Sequence, residues 1–213
     1  MQKKMTKELT GVRADHKYSY SKLERLAAYA RQQLKFPSDQ AIDPLKLFED
    51  LHEITIRQGN GKEIPLRSGV IALEDSEGYT RYDQESGAIE ILAAETTYRR
   101  LEERHPRAAY FLAHELGHCL LHTDQLIRLA QLPTNQQAAF HRGWEGHKIY
   151  EDTEWQANAF ASTLLMPAGG IAVLERDCAQ ITIEVIANQF GVSQEAASYR
   201  LHLYASRKNE LLI

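Results

Sequence analysis

The stretch AHELGHCLLH, Ala113–His122, places three histidines at intervals of four residues, with a glutamate and a glycine between them. On a helix, His114 and His118 project from one face about one turn apart, so both imidazoles can reach one metal ion. Glu115 lies about 100° further round the helix, where its carboxylate can reach a water on the open side of that ion. This H-E-x-x-H spacing predicts a metal site in which Glu115 is the general base.

Two further residues of the stretch have different predicted roles. His122 lies eight residues from His114, or about 12 Å along a helix, so one ion cannot bind all three histidines. We therefore expect His122 at the helix end or behind the ligands. Gly117 costs a helix interior about 1 kcal/mol relative to alanine, which predicts that another backbone or the third ligand approaches closely there.

A hydrolytic zinc site needs a third protein ligand, and the best candidate lies in EDTEWQANAFASTLLMP, Glu151–Pro167. Glu154 shares one helical stripe with small or polar residues that would permit close packing, namely Ala157, Asn158 and Ala161. A solvated glutamate near a helix N-terminus is the plain alternative for Glu154, since the helix dipole favours a negative charge there. The rival ligands are Glu151, His141 and His147.

The chain resembles the ImmA/IrrE family of zinc metallo-endopeptidases in three motifs that occur in the family's order. These are HELGHCLLH, EWQANAFASTLLMP and FGVSQEAASYRL, the last spanning Phe190–Leu201, and IDPLKLFEDLHEITI also resembles the family's amino-terminal helix and first strand. The resemblance covers roughly residues 20–205. It implies one Zn²⁺ per chain bound by His114, His118 and Glu154, with Glu115 as catalytic base. It also implies a protein substrate, such as a transcriptional repressor or regulator.

Hydrophobic periodicity predicts an α+β fold, with helices before and after a set of short β-like segments between residues 54 and 92. We expect a zincin-like domain over residues 19–180, in which a small, mostly antiparallel sheet packs on the H-E-x-x-H helix. Asp43 and Pro44 predict the start of one helix, Pro106 lies in the first turn of the helix at about 107–122, and Pro167 ends another. Residues 1–18 are expected to be loosely ordered, and residues 181–213 form a helical, helix-turn-helix-like tail.

Two departures from the family pattern stand out. His118 and Glu154 are separated by 154 − 118 = 36 residues, which predicts an insertion over residues 123–150, partly helical near DQLIRLAQL. In that insertion we expect Trp144 to be a packing anchor. Ala109-Tyr110 stands where the family often has Arg-Phe, and this affects substrate recognition more than metal binding.

Composition narrows the possible cellular settings. The 213 residues carry a net charge of −4, so no global charge attracts nucleic acid or an anionic membrane. Cys119 and Cys178 make no disulfide framework, and Cys119 is expected to be a small core residue. The start lacks the apolar run of a secretory signal, and no window approaches eighteen consecutive apolar residues. A cytoplasmic protein with reduced thiols and no membrane contact is predicted.

Several alternatives remain open from the sequence. A metal-bound regulatory or DNA-binding protein without peptidase activity is the main one, although the tail mixes acidic and basic residues rather than clustering positive charge. A structural zinc site is a weaker alternative, because such sites are usually closed by four protein ligands. An edge strand between residues 69 and 92 could hold an extended substrate. The candidates for an oxyanion partner are Tyr79, Tyr82, His122 and Tyr199.

Overall fold

A computed structural model of the chain describes residues 11–133, 147–178 and 180–212. The first helices in these residues are α1 (Tyr20–Gln33), α2 (Pro44–Glu49), α3 (Glu95–Glu102), α4 (Pro106–Leu121) and α5 (Thr123–Gln131). They are followed by α6 (Thr153–Leu165), α7 (Ala168–Asp177), α8 (Ile183–Phe190) and α9 (Gln194–Leu211). The strands are β1 (Thr55–Arg57), β2 (Glu63–Ile71), β3 (Gly78–Asp83) and β4 (Ala88–Ala94). The coarse prediction of an α+β fold with a small sheet is confirmed.

The sheet is mixed: two of its three strand pairs are antiparallel, in line with the expected mostly antiparallel sheet, and one pair is parallel. Its strand order is β1-β2-β4-β3. The β1–β2 and β3–β4 pairs are antiparallel, but the central β2–β4 pair is parallel over six residues, from Leu66↔Ile89 to Ile71↔Ala94. β3 itself makes the connection between the two parallel strands, since the chain passes from β2 to the far edge and returns as β4. Alternating hydrophobicity is the same in both pairings, so the sequence pattern did not distinguish them.

Helix ends follow the local signals in the sequence. The Asp43 side chain caps α2 by accepting from the amides of Leu45 at 3.1 Å and Lys46 at 3.2 Å, and Pro44 occupies the first helical position. Gly191 ends α8 with a left-handed φ of +64°, a conformation that glycine adopts without a steric penalty. β2 begins at Glu63, inside the segment GNGKEIP (residues 59–65), although glycine and proline there are typical of a turn.

The core lies between the sheet, α4, α6 and α1. α4 packs against β3, β4 and α6, and α1 packs against α6 and α9. The strand β4 is buried on both faces except at Glu90, whose carboxylate pairs with Arg81 at 2.8 Å. One stretch, Thr153–Asp177, is apolar and long enough to cross a membrane by composition, but 72% of its most apolar window is buried inside this structure. It is therefore a core element of the fold.

The tail is joined to the core by a buried ion pair. The Arg200 guanidinium in α9 is fully buried and donates to the Glu24 carboxylate in α1 and to the carbonyl of Met166 at 2.7 Å. The other Glu24 oxygen accepts from the amide of Ala168 at 3.1 Å. Because α1, α9 and the Met166–Ala168 connection share these contacts, α9 packs as part of the core.

Part of the segment 1–18, which the sequence predicts to be loosely ordered, pairs with the start of α6. Arg13 and Asp152 form an antiparallel bridge. The amide of Ala14 donates to the Glu151 carbonyl at 2.7 Å, and the amide of Thr153 donates to the Val12 carbonyl at 3.0 Å. The domain boundaries at residues 18 and 180 stay predictions. Residues 134–146 of the predicted insertion, which include His141 and Trp144, lie outside the described residues.

Candidate metal centre

Two imidazoles of α4 converge on one point. His114 and His118 lie one turn apart on the face of α4 that is turned toward α6, and their Nε2 atoms are 3.1 Å from each other. Their rings meet nearly edge to face, with an interplanar angle of 71°. The four-residue spacing in the sequence thus brings both nitrogens to the same place.

Glu154 completes the cluster from the first turn of α6. Its two carboxylate oxygens lie 3.2 Å from His114 Nε2 and 3.2 Å from His118 Nε2. Asp152 caps α6 by accepting from the Trp155 amide at 3.0 Å, and this cap fixes where the helix begins. The three side chains are the group of candidate ligands that the described part of the chain brings together.

Close approach of α4 and α6 makes this convergence possible. A Cβ atom placed on Gly117 would lie 3.1 Å from Ala157 Cα and 3.2 Å from the Ala157 carbonyl oxygen. The prediction that another backbone approaches Gly117 is therefore confirmed. Ala157 lies three residues after Glu154, so the contact between the two backbones sets how far Glu154 stands from the histidines.

The donor set fits a zinc ion. In a tetrahedral zinc site with metal–ligand distances of about 2.0–2.2 Å, neighbouring ligand atoms lie about 3.3–3.6 Å apart. The observed separations of 3.1–3.2 Å agree to within a few tenths of an ångström. Two imidazoles and one carboxylate leave a fourth position for water. The exposed fractions of 16%, 15% and 36% for His114, His118 and Glu154 leave that side of the cluster open to solvent.

The electrostatics of the cluster favour a cation. Burial alone lowers the pKa of His114, but the hydrogen bond to Glu154 and the charges of Glu115 and Glu154 outweigh it and raise that pKa overall. Burial raises the pKa of Glu154, but the hydrogen bonds from both imidazoles hold it well below its ordinary value. A carboxylate that stays ionised between two imidazoles is suited to bind a divalent cation.

Each candidate ligand histidine has a partner at its other ring nitrogen. His114 Nδ1 lies 3.1 Å from Asn158 Oδ1, and His118 Nδ1 lies 3.1 Å from His122 Nδ1. Such partners orient metal-binding imidazoles. His122 therefore lies behind the two candidate ligands, while the contact of Asn158 with His114 was not foreseen. The signal was available, since Asn158 lies four residues after Glu154 on the same helical stripe.

Glu115 lies on the sheet side of α4 and is 9% exposed. Its Oε2 accepts a hydrogen bond from the Thr80 hydroxyl at 2.7 Å. Thr80 belongs to the edge strand β3, so the strand and the carboxylate predicted to be the base are in direct contact. Sequence reasoning missed Thr80, because nothing local to Gly78–Asp83 indicates which helix the strand packs against.

The two rival ligands that the structure describes, Glu151 and His147, make other contacts. Glu151 pairs with Lys17 at 2.6 Å and accepts from the Lys148 amide at 3.1 Å, and these contacts hold its pKa down at about 2. His147 Nε2 bonds to Asp152 Oδ2 at 3.1 Å. Cys119 is fully buried, and burial raises the pKa of its thiol, which agrees with the expectation of a core residue.

Of the four candidates for an oxyanion partner, His122 is the one whose burial and hydrogen bonds argue against that role. It is 3% exposed, and its nitrogens bond to His118 Nδ1 and to Gln156 Oε1 at 3.0 Å. Tyr79 and Tyr199 are exposed, at 40% and 55%. Tyr82 is partly buried and packs against the core.

A cavity of about 840 Å³ opens beside the cluster, and Glu154 and Asn158 form part of its wall. Its aromatic lining comes from four helices, through Tyr20 of α1, Tyr110 of α4, Trp155 of α6 and Tyr199 of α9. The tail therefore forms one side of a cavity that reaches the candidate metal ligands. Tyr110 lies where the family often has phenylalanine, and its hydroxyl lies 3.2 Å from Asn158 Oδ1.

Comparison with known proteins agrees with this geometry. Residues 100–202, which contain all three candidate ligands and Glu115, match the IrrE N-terminal-like domain, Peptidase_M78. This segment belongs to the ImmA/IrrE family. The match also covers α8 and the first half of α9, so the IrrE-like segment extends into both helices of the tail.

Other comparisons are more distant. A Mycobacterium tuberculosis transcriptional regulator of known structure is similar, with a TM-score of 0.47 and 18% sequence identity. The similarity covers 84% of this chain and 46% of that regulator, so the chain spans about half the regulator's length. No curated protein matches the chain significantly.

Proposed function

We propose that this protein is a zinc-dependent endopeptidase that hydrolyses a peptide bond in a protein substrate, such as a transcriptional repressor or regulator. The observation that carries the proposal is the convergence of His114, His118 and Glu154, with Glu115 on the same helix. Two histidines, one glutamate and an open position are the donor set of hydrolytic zinc sites. The family match supports a metallopeptidase-like role.

His114, His118 and Glu154 would hold the ion. An ion held there would supply a water of lowered pKa and polarisation of the scissile carbonyl. Glu115 takes up the proton of the attacking water and returns it to the leaving amine. The Thr80 hydroxyl holds one oxygen of that carboxylate, which leaves the other oxygen free to carry the proton.

The substrate would bind along two neighbouring features. The strand β3 is an edge of the sheet, and its Thr80 touches Glu115, so an extended segment paired with β3 would pass the base. The cavity beside Glu154 would take a large apolar or aromatic side chain of that segment, because Tyr110, Trp155 and Tyr199 line it.

The basic residues of the tail support a packing role rather than DNA binding. Arg200 pairs with Glu24, Arg207 with Glu210 at 3.0 Å, and Lys208 with Glu175. Phosphate contacts need basic side chains that are clustered and available. We therefore expect no salt-dependent shift of a DNA duplex by the full chain, and a clear shift at low salt would favour the regulatory alternative. A cytoplasmic location remains part of the proposal.

The decisive experiment pairs metal content with proteolysis. The full chain and its Glu115→Gln, Glu154→Ala and Glu103→Gln variants are analysed for zinc and incubated with a library of quenched fluorescent peptides. Glu115→Gln should keep zinc and lose cleavage, and Glu154→Ala should lose zinc. Glu103 is exposed, so Glu103→Gln serves as the matched control and should behave as wild type. Undiminished cleavage by Glu115→Gln, or equal zinc in wild type and Glu154→Ala, would refute the assignment.

A further inference from the structure

A buried row of hydrogen bonds runs behind His118, away from the open side of the cluster. His118 Nδ1 lies 3.1 Å from His122 Nδ1, and His122 Nε2 lies 3.0 Å from Gln156 Oε1. The Gln156 amide nitrogen donates to the backbone carbonyls of His16 at 2.8 Å and Tyr150 at 3.0 Å. Gln156 is fully buried and His122 is 3% exposed, so water does not compete for these groups.

The carbonyls at the far end fix the orientation of the Gln156 amide. A carbonyl only accepts hydrogen bonds, so the group that faces the His16 and Tyr150 oxygens must be the NH₂ of Gln156. Its Oε1 then faces His122, and the nitrogen of His122 that it meets must carry a hydrogen.

The position of the hydrogen on His122 in turn determines which nitrogen of His118 carries a hydrogen. A neutral imidazole carries one ring hydrogen, so His122 Nδ1 presents a lone pair when Nε2 carries the proton. His118 Nδ1 must then donate its hydrogen to His122, so in the neutral His118 imidazole, the form that binds a metal, the lone pair lies on Nε2. That nitrogen is the one that faces His114 and Glu154 in the cluster.

We propose that Gln156 and His122 are positioning residues that hold His118 in the tautomer whose Nε2 lone pair is directed at the metal. This inference rests on the proposed function only in taking His118 as a metal ligand. His114 makes a direct contact with Asn158 and needs no further residue to orient it. At His118 the positions of the ring hydrogens follow from a row of hydrogen bonds that begins at two backbone carbonyls outside α4 and α6. The stretch near His16 and the turn before α6 thereby influence metal affinity without touching the metal.

Nuclear magnetic resonance tests the proton order directly and needs no variant. Long-range ¹H–¹⁵N correlations of the metal-free full chain with ¹⁵N-labelled histidine, at a pH above the ordinary histidine pKa, report which ring nitrogen carries the hydrogen. The expected result is a hydrogen on Nδ1 of His118 and on Nε2 of His122. The opposite tautomer at either residue overturns the proposal.

A pair of substitutions tests the consequence for the metal. His122→Leu keeps the volume but removes the acceptor for His118, whereas the side-chain oxygen of His122→Asn can replace Nδ1 as acceptor. Zinc affinity, measured by competition with a chromophoric chelator, should fall about 10–100-fold in His122→Leu. It should stay close to the wild-type value in His122→Asn. Equal affinities in the two variants would overturn the proposal, with thermal unfolding showing that both are folded.

A third variant separates the proposal from general loss of packing. Gln156→Met preserves size and flexibility but removes the acceptor for His122 Nε2, so the spectra should show both tautomers of His118. A single, unchanged His118 tautomer in that variant contradicts the inferred row of hydrogen bonds.

The outcomes for the wild type separate this inference from the proposed function. If the wild type has the expected tautomers but binds no zinc, the proposed peptidase fails and the positioning role for metal fails with it. If it binds zinc but has the opposite tautomer, only the positioning role fails.

Discussion

Replacing Gly117 by alanine should not raise the free energy of unfolding, although the higher helix propensity of alanine alone would predict an increase. Gly117→Ala would add about 1 kcal/mol of helix stability if the position were open. The new Cβ would instead lie 3.1 Å from Ala157 Cα, 3.2 Å from the Ala157 carbonyl oxygen and 3.3 Å from Phe160 Cδ1. Two of these atoms are backbone and cannot rotate away. Overpacking a close contact costs about 1–3 kcal/mol, so the net change in unfolding free energy should lie between about zero and a loss of 2 kcal/mol.

The same substitution should weaken the metal site more than the fold. Relieving the contact moves α6 away from α4 by a few tenths of an ångström, and Glu154 lies one turn from Ala157. The carboxylate therefore shifts away from the two imidazoles. We expect zinc affinity to fall by about tenfold, the lower end of what disturbing the surroundings of metal ligands costs.

Gly169→Ala is the matched control. Gly169 is exposed in α7, and a Cβ placed there has no atom within 4 Å. Its replacement should stabilise the protein by about 0.5–1 kcal/mol, or roughly 1–4 °C in Tm for a chain of this size, and should leave zinc affinity unchanged. Thermal unfolding of the metal-free protein and chelator competition measure the two quantities. The reasoning is refuted if Gly117→Ala stabilises the protein as much as Gly169→Ala and binds zinc as tightly as wild type.

Three further outcomes are expected. In the native protein a thiol reagent should modify the partly exposed Cys178 readily and Cys119 only after unfolding, because burial raises the pKa of the Cys119 thiol; equal rates would contradict this. Asn158→Leu should lower zinc affinity about 10–100-fold with little change in Tm, and an unchanged affinity would show that this amide does not orient its imidazole. Arg200→Met should cost about 3–5 kcal/mol in urea unfolding because Glu24 stays buried without its partner, and adding Glu24→Gln should recover most of the loss.

The candidate site was largely predictable because its parts are encoded locally. The spacing of His114 and His118 defines one helix face, and the glycine between them indicates close packing wherever the partner helix lies. Glu154 could be selected as a candidate because the small residues on its stripe are suited to the same packing. Thr80 could not be predicted, since its contact with Glu115 joins residues 35 apart through the packing of a strand on a helix.

The sheet was predictable only in its segments. Short runs between turn signals identify β2 and β4, but their parallel pairing depends on where β3 is placed. Placing β3 at the edge brings Thr80 to Glu115, so the strand order affects the candidate site in a way that the sequence of no single strand predicts.

The tail was difficult to predict for a similar reason, because an apolar stripe in a short helix is equally suited to a DNA-binding motif and to a packed helix. In the structure the Arg200 guanidinium points inward to Glu24, so this side of α9 packs on the core.

The three evenly spaced histidines show how a facing helix assigns different chemistry to equivalent positions. His114, His118 and His122 project from α4 in the same direction, and nothing in their spacing distinguishes them. α6 presents Glu154 to the Nε2 atoms of the first two, and Gln156 to the third. A carboxylate makes the first two positions suitable for a cation, whereas the amide oxygen at the third brings no charge and only accepts a hydrogen bond. Burial and the neighbouring His118 lower the pKa of His122 to about 4. Exchanging the residues at 154 and 156 would therefore be expected to destroy the cluster even though every histidine stays in place.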